Sequence, residues 1–82
     1  MTVQEAHEFC NSNKDIIQKS EMCGCFYCER TFKPSEIKEW VGSEDRALCP
    51  HCGIDSVLPD FISQEFLEEK FLHEMYEFWF GN

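Results

Sequence analysis

The sequence is poor in positive charge. Seven lysines and arginines stand against sixteen aspartates and glutamates, giving a net charge of −9 over 82 residues. A nucleic-acid binder needs a basic face, because lysine and arginine must neutralise phosphates. The field of this chain as a whole opposes that. Long apolar runs are missing too, and a membrane helix needs about 20 such residues. The first residues, MTVQEAHEFCNSNKD, are acidic and polar. They lack the basic-then-apolar order of a secretory signal. These absences predict a cytoplasmic protein without a membrane span.

Catalytic signatures are missing as well. There is no H-E-x-x-H, no H-x-E paired with P-C-x-x-C, no phosphate loop and no G-x-S-x-G. No Asp-His dyad precedes a helix as a treble-clef nuclease would require. The expectation is a protein that is not an enzyme.

Cysteine is what the chain has in excess. Six occur in 82 residues. So small a chain makes one domain, residues 1–82, with a core that needs help from metal, disulfides or association. In a reducing compartment closely spaced cysteines point to metal. Cys25 and Cys28 form one pair, Cys49 and Cys52 a second, with twenty residues between the pairs. Two thiolates spaced by two residues wrap one ion in a tight turn. Two such turns complete a tetrahedron, the geometry of structural Zn²⁺. Pro50 presets the second turn and Gly53 permits a left-handed residue after it. Glu29 stands where the first turn would use glycine.

That pattern predicts Cys25, Cys28, Cys49 and Cys52 as ligands of one structural zinc. Iron is the alternative, since rubredoxin-like sites also use two such knuckles, but those sites favour glycine where Glu29 stands. Cys23 reads as a spare thiol near the site, and Cys10 as a small buried hydrophobe. His51 should face outward between its neighbouring ligands. His7 and His73 fall on the polar faces of their helices. Asp55 reads as a structural turn residue. A four-cysteine site is closed, so the zinc is structural and folding depends on it.

The pattern along the chain predicts a small α+β zinc-binding domain, zinc-ribbon-like, in three segments. Residues 1–22 are helical, opened by a Thr2/Glu5 capping box, with Asn13 starting a second short helix over KDIIQKS. Residues 23–54 hold the knuckles and a short hairpin with Phe32 turned inward. Between the knuckles, Ser35 as N-cap and Gly42 as stop predict a short helix near 36–41, with Ile37 and Trp40 on its buried side. Residues 63–80 predict a long amphipathic helix started by Ser63 after the breaker Pro59. Its buried face would carry Leu67, Phe71, Leu72, Met75, Phe78 and Trp79. Ile62, Phe66, Tyr76 and Phe80 fall outside that face.

The runs CGCFYCERTFKPSEIKEW, ALCPHCGIDSVLP and EFLEEKFLHEMYEFWF together resemble a family of small bacterial or phage-borne cytoplasmic proteins with a zinc-ribbon-like cysteine pattern. The match covers about residues 13–80. It implies a cytosolic, zinc-binding protein. Members often carry a longer glycine-rich link before the last helix, which is only LPDF here.

Three functions follow as expectations. The first is a protein-interaction or regulatory module, which presents the acidic helix and its stray aromatics to a protein partner or to a second copy in a homodimer. The second is a nucleic-acid-associated ribbon that uses Arg30, Lys33, Lys38 and Arg46. The third is an iron electron carrier.

Overall fold

The computed structural model describes residues 2–42 and 45–81. It is a small α+β structure. The element order is α1 (Val3–His7), α2 (Lys14–Lys19), β1 (Cys23–Cys25), β2 (Thr31–Phe32), β3 (Trp40–Val41), β4 (Arg46–Ala47), β5 (Val57–Pro59) and α3 (Glu69–Trp79). Single 3-10 turns lie at Glu8–Cys10, Pro34–Glu36 and Gln64–Leu67. No helix among the described residues is long and apolar enough to cross a membrane.

The central element is an antiparallel sheet of order β2-β1-β5. Strand side chains alternate between faces, and the alternation divides the interior in two. Cys23 and Cys25 on β1 share one face with Phe32 of β2 and Val57 of β5. Ile17, Ile37, Ala47 and Cys49 complete this core. Leu58 points the other way. It packs with Ala6, Cys10, Phe26, Phe66, Phe71, Leu72 and Met75 in a core under α1 and α3. Gly24 faces this helical side between the two cysteines of its strand. A Cβ there would meet the Phe66 carbonyl oxygen and press on Leu72. Its missing side chain is what lets the turn before α3 lie directly on the sheet. Pro59 sits in β5, which is an edge strand and can spare an amide donor.

The N-terminus folds as its sequence predicts. The Thr2 hydroxyl accepts from the Glu5 amide at 3.1 Å, and the Glu5 carboxylate accepts from the Thr2 amide at 3.0 Å. Asn13 does more than begin α2. It is fully buried, and its amide group donates to the carbonyls of Phe9 (2.8 Å) and Val57 (3.0 Å). Its carbonyl oxygen accepts from the Ala47 amide at 3.3 Å. One side chain thus ties the N-terminal segment to both sheets. Asp60 performs a similar task, accepting from the Glu21 and Met22 amides at 3.1 Å each.

Two predicted helices are corrected. The helix near 36–41 is absent. Pro34 opens a 3-10 turn that ends at Glu36, and Ile37 is already extended. Trp40 and Val41 then pair with Ala47 and Arg46 as a hairpin. Aromatic and β-branched residues suit a strand, and Gly42 takes its positive φ of 61° next to that strand rather than at a helix end. A helix stop and a hairpin turn use the same residue, so the sequence signal was ambiguous. The helix over 63–80 is shorter than predicted. Ser63 does cap, with its hydroxyl accepting from the Glu65 amide at 3.2 Å, but it caps the 3-10 turn. Glu68 is extended, and α3 starts at Glu69. The break lets Phe66 turn fully inward, where a continuous helix would leave it off the apolar face. At the other end Phe78 and Trp79 do not join the buried face, and they are 51% and 37% exposed.

Candidate metal centre

The two knuckles are built alike. In the first, the Cys25 amide donates to the Arg30 carbonyl at 2.9 Å, and in the second the Cys49 amide donates to the Ile54 carbonyl at 2.9 Å. Each closes a six-residue loop. Within each loop the amide two residues on turns back to the first sulfur: Tyr27 to Cys25 Sγ and His51 to Cys49 Sγ, both at 3.4 Å. The residue after the second cysteine is left-handed in both, Glu29 at φ 61° and Gly53 at φ 78°. Glycine adopts that conformation without penalty, whereas an L side chain costs about 1 kcal/mol or more. The irregular first knuckle therefore has the geometry of the regular second one, with Glu29 bearing the strain.

The four sulfurs of Cys25, Cys28, Cys49 and Cys52 lie within 4.8 Å of one another. Cys25 and Cys52 sulfurs are 3.6 Å apart, and those of Cys28 and Cys49 are 3.7 Å apart. A disulfide would bring sulfurs to about 2.05 Å. A tetrahedral ion with sulfur ligands at about 2.3 Å sets sulfurs about 3.8 Å apart. The cluster has the second geometry. The donor set is soft and anionic once deprotonated, and the shape fits a single metal ion.

The sheet and the loops divide the work of positioning. Cys25 ends β1 and Cys49 lies two residues beyond β4, and both first cysteines are buried. Cys28 and Cys52 lie on the knuckle turns and are half-buried. Burial pushes the Cys25 thiol well above its ordinary pKa, against the pull of Ser56 and the amides of Cys28 and Tyr27. At Cys49 burial also acts upward. There the amides of Cys52 and His51 and the neighbouring thiols outweigh it, and the pKa falls. Burial raises Cys52. An ion would supply the positive charge that this cluster of acids lacks.

Ser56 was not expected in the site. Its hydroxyl lies 3.0 Å from Cys25 Sγ, and its carbonyl accepts from the Phe26 amide at 3.0 Å. The only hint was its place in GIDSV, just after the second knuckle. Asp55 beside it pairs with the Arg46 guanidinium at 3.0 Å, a role its reading as a turn residue did not include.

The other cysteines stay apart from the cluster. Cys23 is fully buried in β1, and burial pushes its pKa up to about 12. Cys10 is buried on the helical side, donates to the His7 carbonyl, and is pushed up to about 11, chiefly by burial. His51 is exposed. His7 is half-buried, with its ring 4.0 Å from that of Trp79, so it does not face solvent on a polar helix surface as predicted. His73 is exposed between two carboxylates, Glu29 and Glu77, each at 3.3 Å.

No family model, curated protein or solved structure matches this chain.

Proposed function

We propose that this chain is a structural-zinc module that binds a partner protein through its acidic, aromatic-rich C-terminal helix. The observation that carries this reading is what α3 leaves outside. Phe78, Trp79 and Phe80 are 51%, 37% and 41% exposed at the end of a segment with five glutamates and one lysine between Gln64 and Phe80. Grouped exposed aromatics are costly in water and mark interfaces. The cysteine cluster supports a structural ion. Four protein ligands fill a tetrahedron and leave no position for substrate. Zinc is favoured over iron because closed four-cysteine sites with one ion are most often zinc. The resemblance to small zinc-ribbon-like bacterial proteins, and its implied cytosolic setting, point the same way. The net charge speaks against the nucleic-acid reading, and Arg46 is already engaged by Asp55.

Native mass spectrometry tests the metal. One zinc is expected, lost in Cys25→Ser and Cys49→Ser and kept in Cys23→Ser. An iron increment with visible colour would make electron transfer the better reading. Crosslinking in cells tests the partner. A defined protein should crosslink to the wild type and not to a Phe78→Ser/Phe80→Ser variant that keeps its zinc and helical content. An undiminished crosslink in that variant would remove the helix from the interface.

A further inference from the structure

The aromatics at the end of α3 do not stand alone. Tyr27 lies at the tip of the first knuckle, between Cys25 and Cys28, and is 40% exposed. Its ring meets Phe80 edge-on at 4.9 Å and Tyr76 at 5.7 Å, and those two rings are 5.8 Å apart. Tyr76 and Phe80 are four residues apart and share a helix face. The three rings make one platform from two distant parts of the chain.

Carboxylates flank it. Glu29 follows the same knuckle and reaches His73 on α3, and His73 in turn touches Glu77. Glu29, Glu69, Lys70 and His73 line a shallow groove beside this platform. The groove holds one lysine, and its histidine lies between two glutamates. Aromatic faces carry negative quadrupoles, so platform and groove attract the same sign of charge.

We propose that Tyr27, Tyr76 and Phe80, with Glu29, Glu69 and Glu77, form a docking surface for an arginine-rich segment of a partner protein. This rests on the interaction reading above and names the partner's chemistry. Charge complementarity selects the occupant. A second copy of this chain would bring another acidic helix and be repelled. A nucleic acid would bring phosphates to the same carboxylates. Arginine fits better than lysine because its planar guanidinium can stack on a ring while its edge pairs with a carboxylate. Because Tyr27 sits between two ligands, the platform exists only while the knuckle holds its shape. Binding should therefore require metal.

The test uses the full zinc-loaded chain labelled with ¹⁵N and titrated with a short Arg-Gly-Ser repeat peptide. Its lysine counterpart and an acidic peptide serve as controls. Shifts are expected at Tyr27, Glu29, His73, Tyr76 and Phe80. The lysine peptide should bind about tenfold more weakly, and Tyr27→Ala and Phe80→Ala should each weaken binding about fivefold. Both variants change exposed rings, and retained zinc will certify their fold. Shifts spread over the whole surface, or equal binding of the lysine peptide, would reduce the effect to bulk charge and overturn the proposal. So would a concentration-dependent dimer abolished by Phe80→Ala, because a second copy would then cover the platform. If no basic peptide binds while the Phe78/Phe80 variant still loses its cellular crosslink, the arginine assignment falls and the interaction reading survives. Loss of both removes both.

Discussion

The two faces of the central sheet solve the same problem with different chemistry. On the helical side Phe26, Leu58, Phe66, Phe71, Leu72 and Met75 are buried by ordinary apolar packing. On the other side much of the core surface is cysteine: Cys23, Cys25 and Cys49 lie buried, with Cys28 and Cys52 against them. Thiols contribute less apolar area than leucine or phenylalanine, and four of these five cysteines instead form a cluster whose geometry fits a metal ion. A bound ion there would add cohesion that thiol packing alone supplies weakly.

The largest effect should come from the metal side. Cys25→Ser or Cys49→Ser, or a strong chelator, should unfold the protein. Apparent zinc binding of about 10–16 kcal/mol in small finger peptides exceeds the stability of most small domains. Circular dichroism should show loss of α3 together with the knuckles, because β1 and β5 serve both cores. A helix that survives metal removal would break the comparison by making the two cores independent.

A smaller effect belongs to the helical side. Leu72→Ala should cost about 2–5 kcal/mol, since Leu72 is fully buried over Gly24. The variant should still carry one metal ion by mass while its melting temperature falls. Loss of metal at neutral pH would mean that α3 packing shapes the site directly.

Alkali probes both sides at once. The folded state raises Cys23 to about 12 and Cys10 to about 11, while an unfolded cysteine ionises at about 8.5. The folded state therefore holds more protons above that value, so stability is full below about pH 8.5 and declines as pH rises toward 12. Denaturant midpoints across this range should fall. Cys23→Ala should flatten the decline more than Cys10→Ala. An unchanged slope in both would assign it to other groups.

The smallest effect is at Glu29. Glu29→Gly should relieve the left-handed strain, offset in part by glycine's greater unfolded entropy and by the lost His73 contact. The net gain should be at most about 1 kcal/mol. Thermal melts would register it. A loss beyond about 1 kcal/mol would show that the Glu29–His73 link outweighs the strain.

How much of this the sequence revealed follows the same division. The four cysteines were legible because metal geometry leaves few spacings. The capping box at Thr2 was legible because both partners lie within one turn. The strand at Trp40–Val41 was not legible, because Gly42 suits a helix end and a hairpin alike. The inward turn of Phe66 was not legible, because it accompanies a break at Glu68 beside the close contact with Gly24, which lies more than forty residues away in the chain. Ser56 and Tyr27 acquired their surroundings only through tertiary folding. Local chemistry could be read directly. What depended on the approach of distant segments could not.

The likeness of the knuckles bears on the order in which the chain assembles. Each loop closes over six residues through its own amide-to-carbonyl bond, at the same 2.9 Å in both. Closing so short a loop takes tens of nanoseconds, while β1 must find β5 across more than thirty residues. Either knuckle can present two sulfurs before the sheet exists. Capture of an ion by one half would then turn the search by the other into a tethered encounter over a twenty-residue span. The sheet would be the last element to form, nucleated at Cys25 and Val57 and zipping toward Cys23 and Pro59.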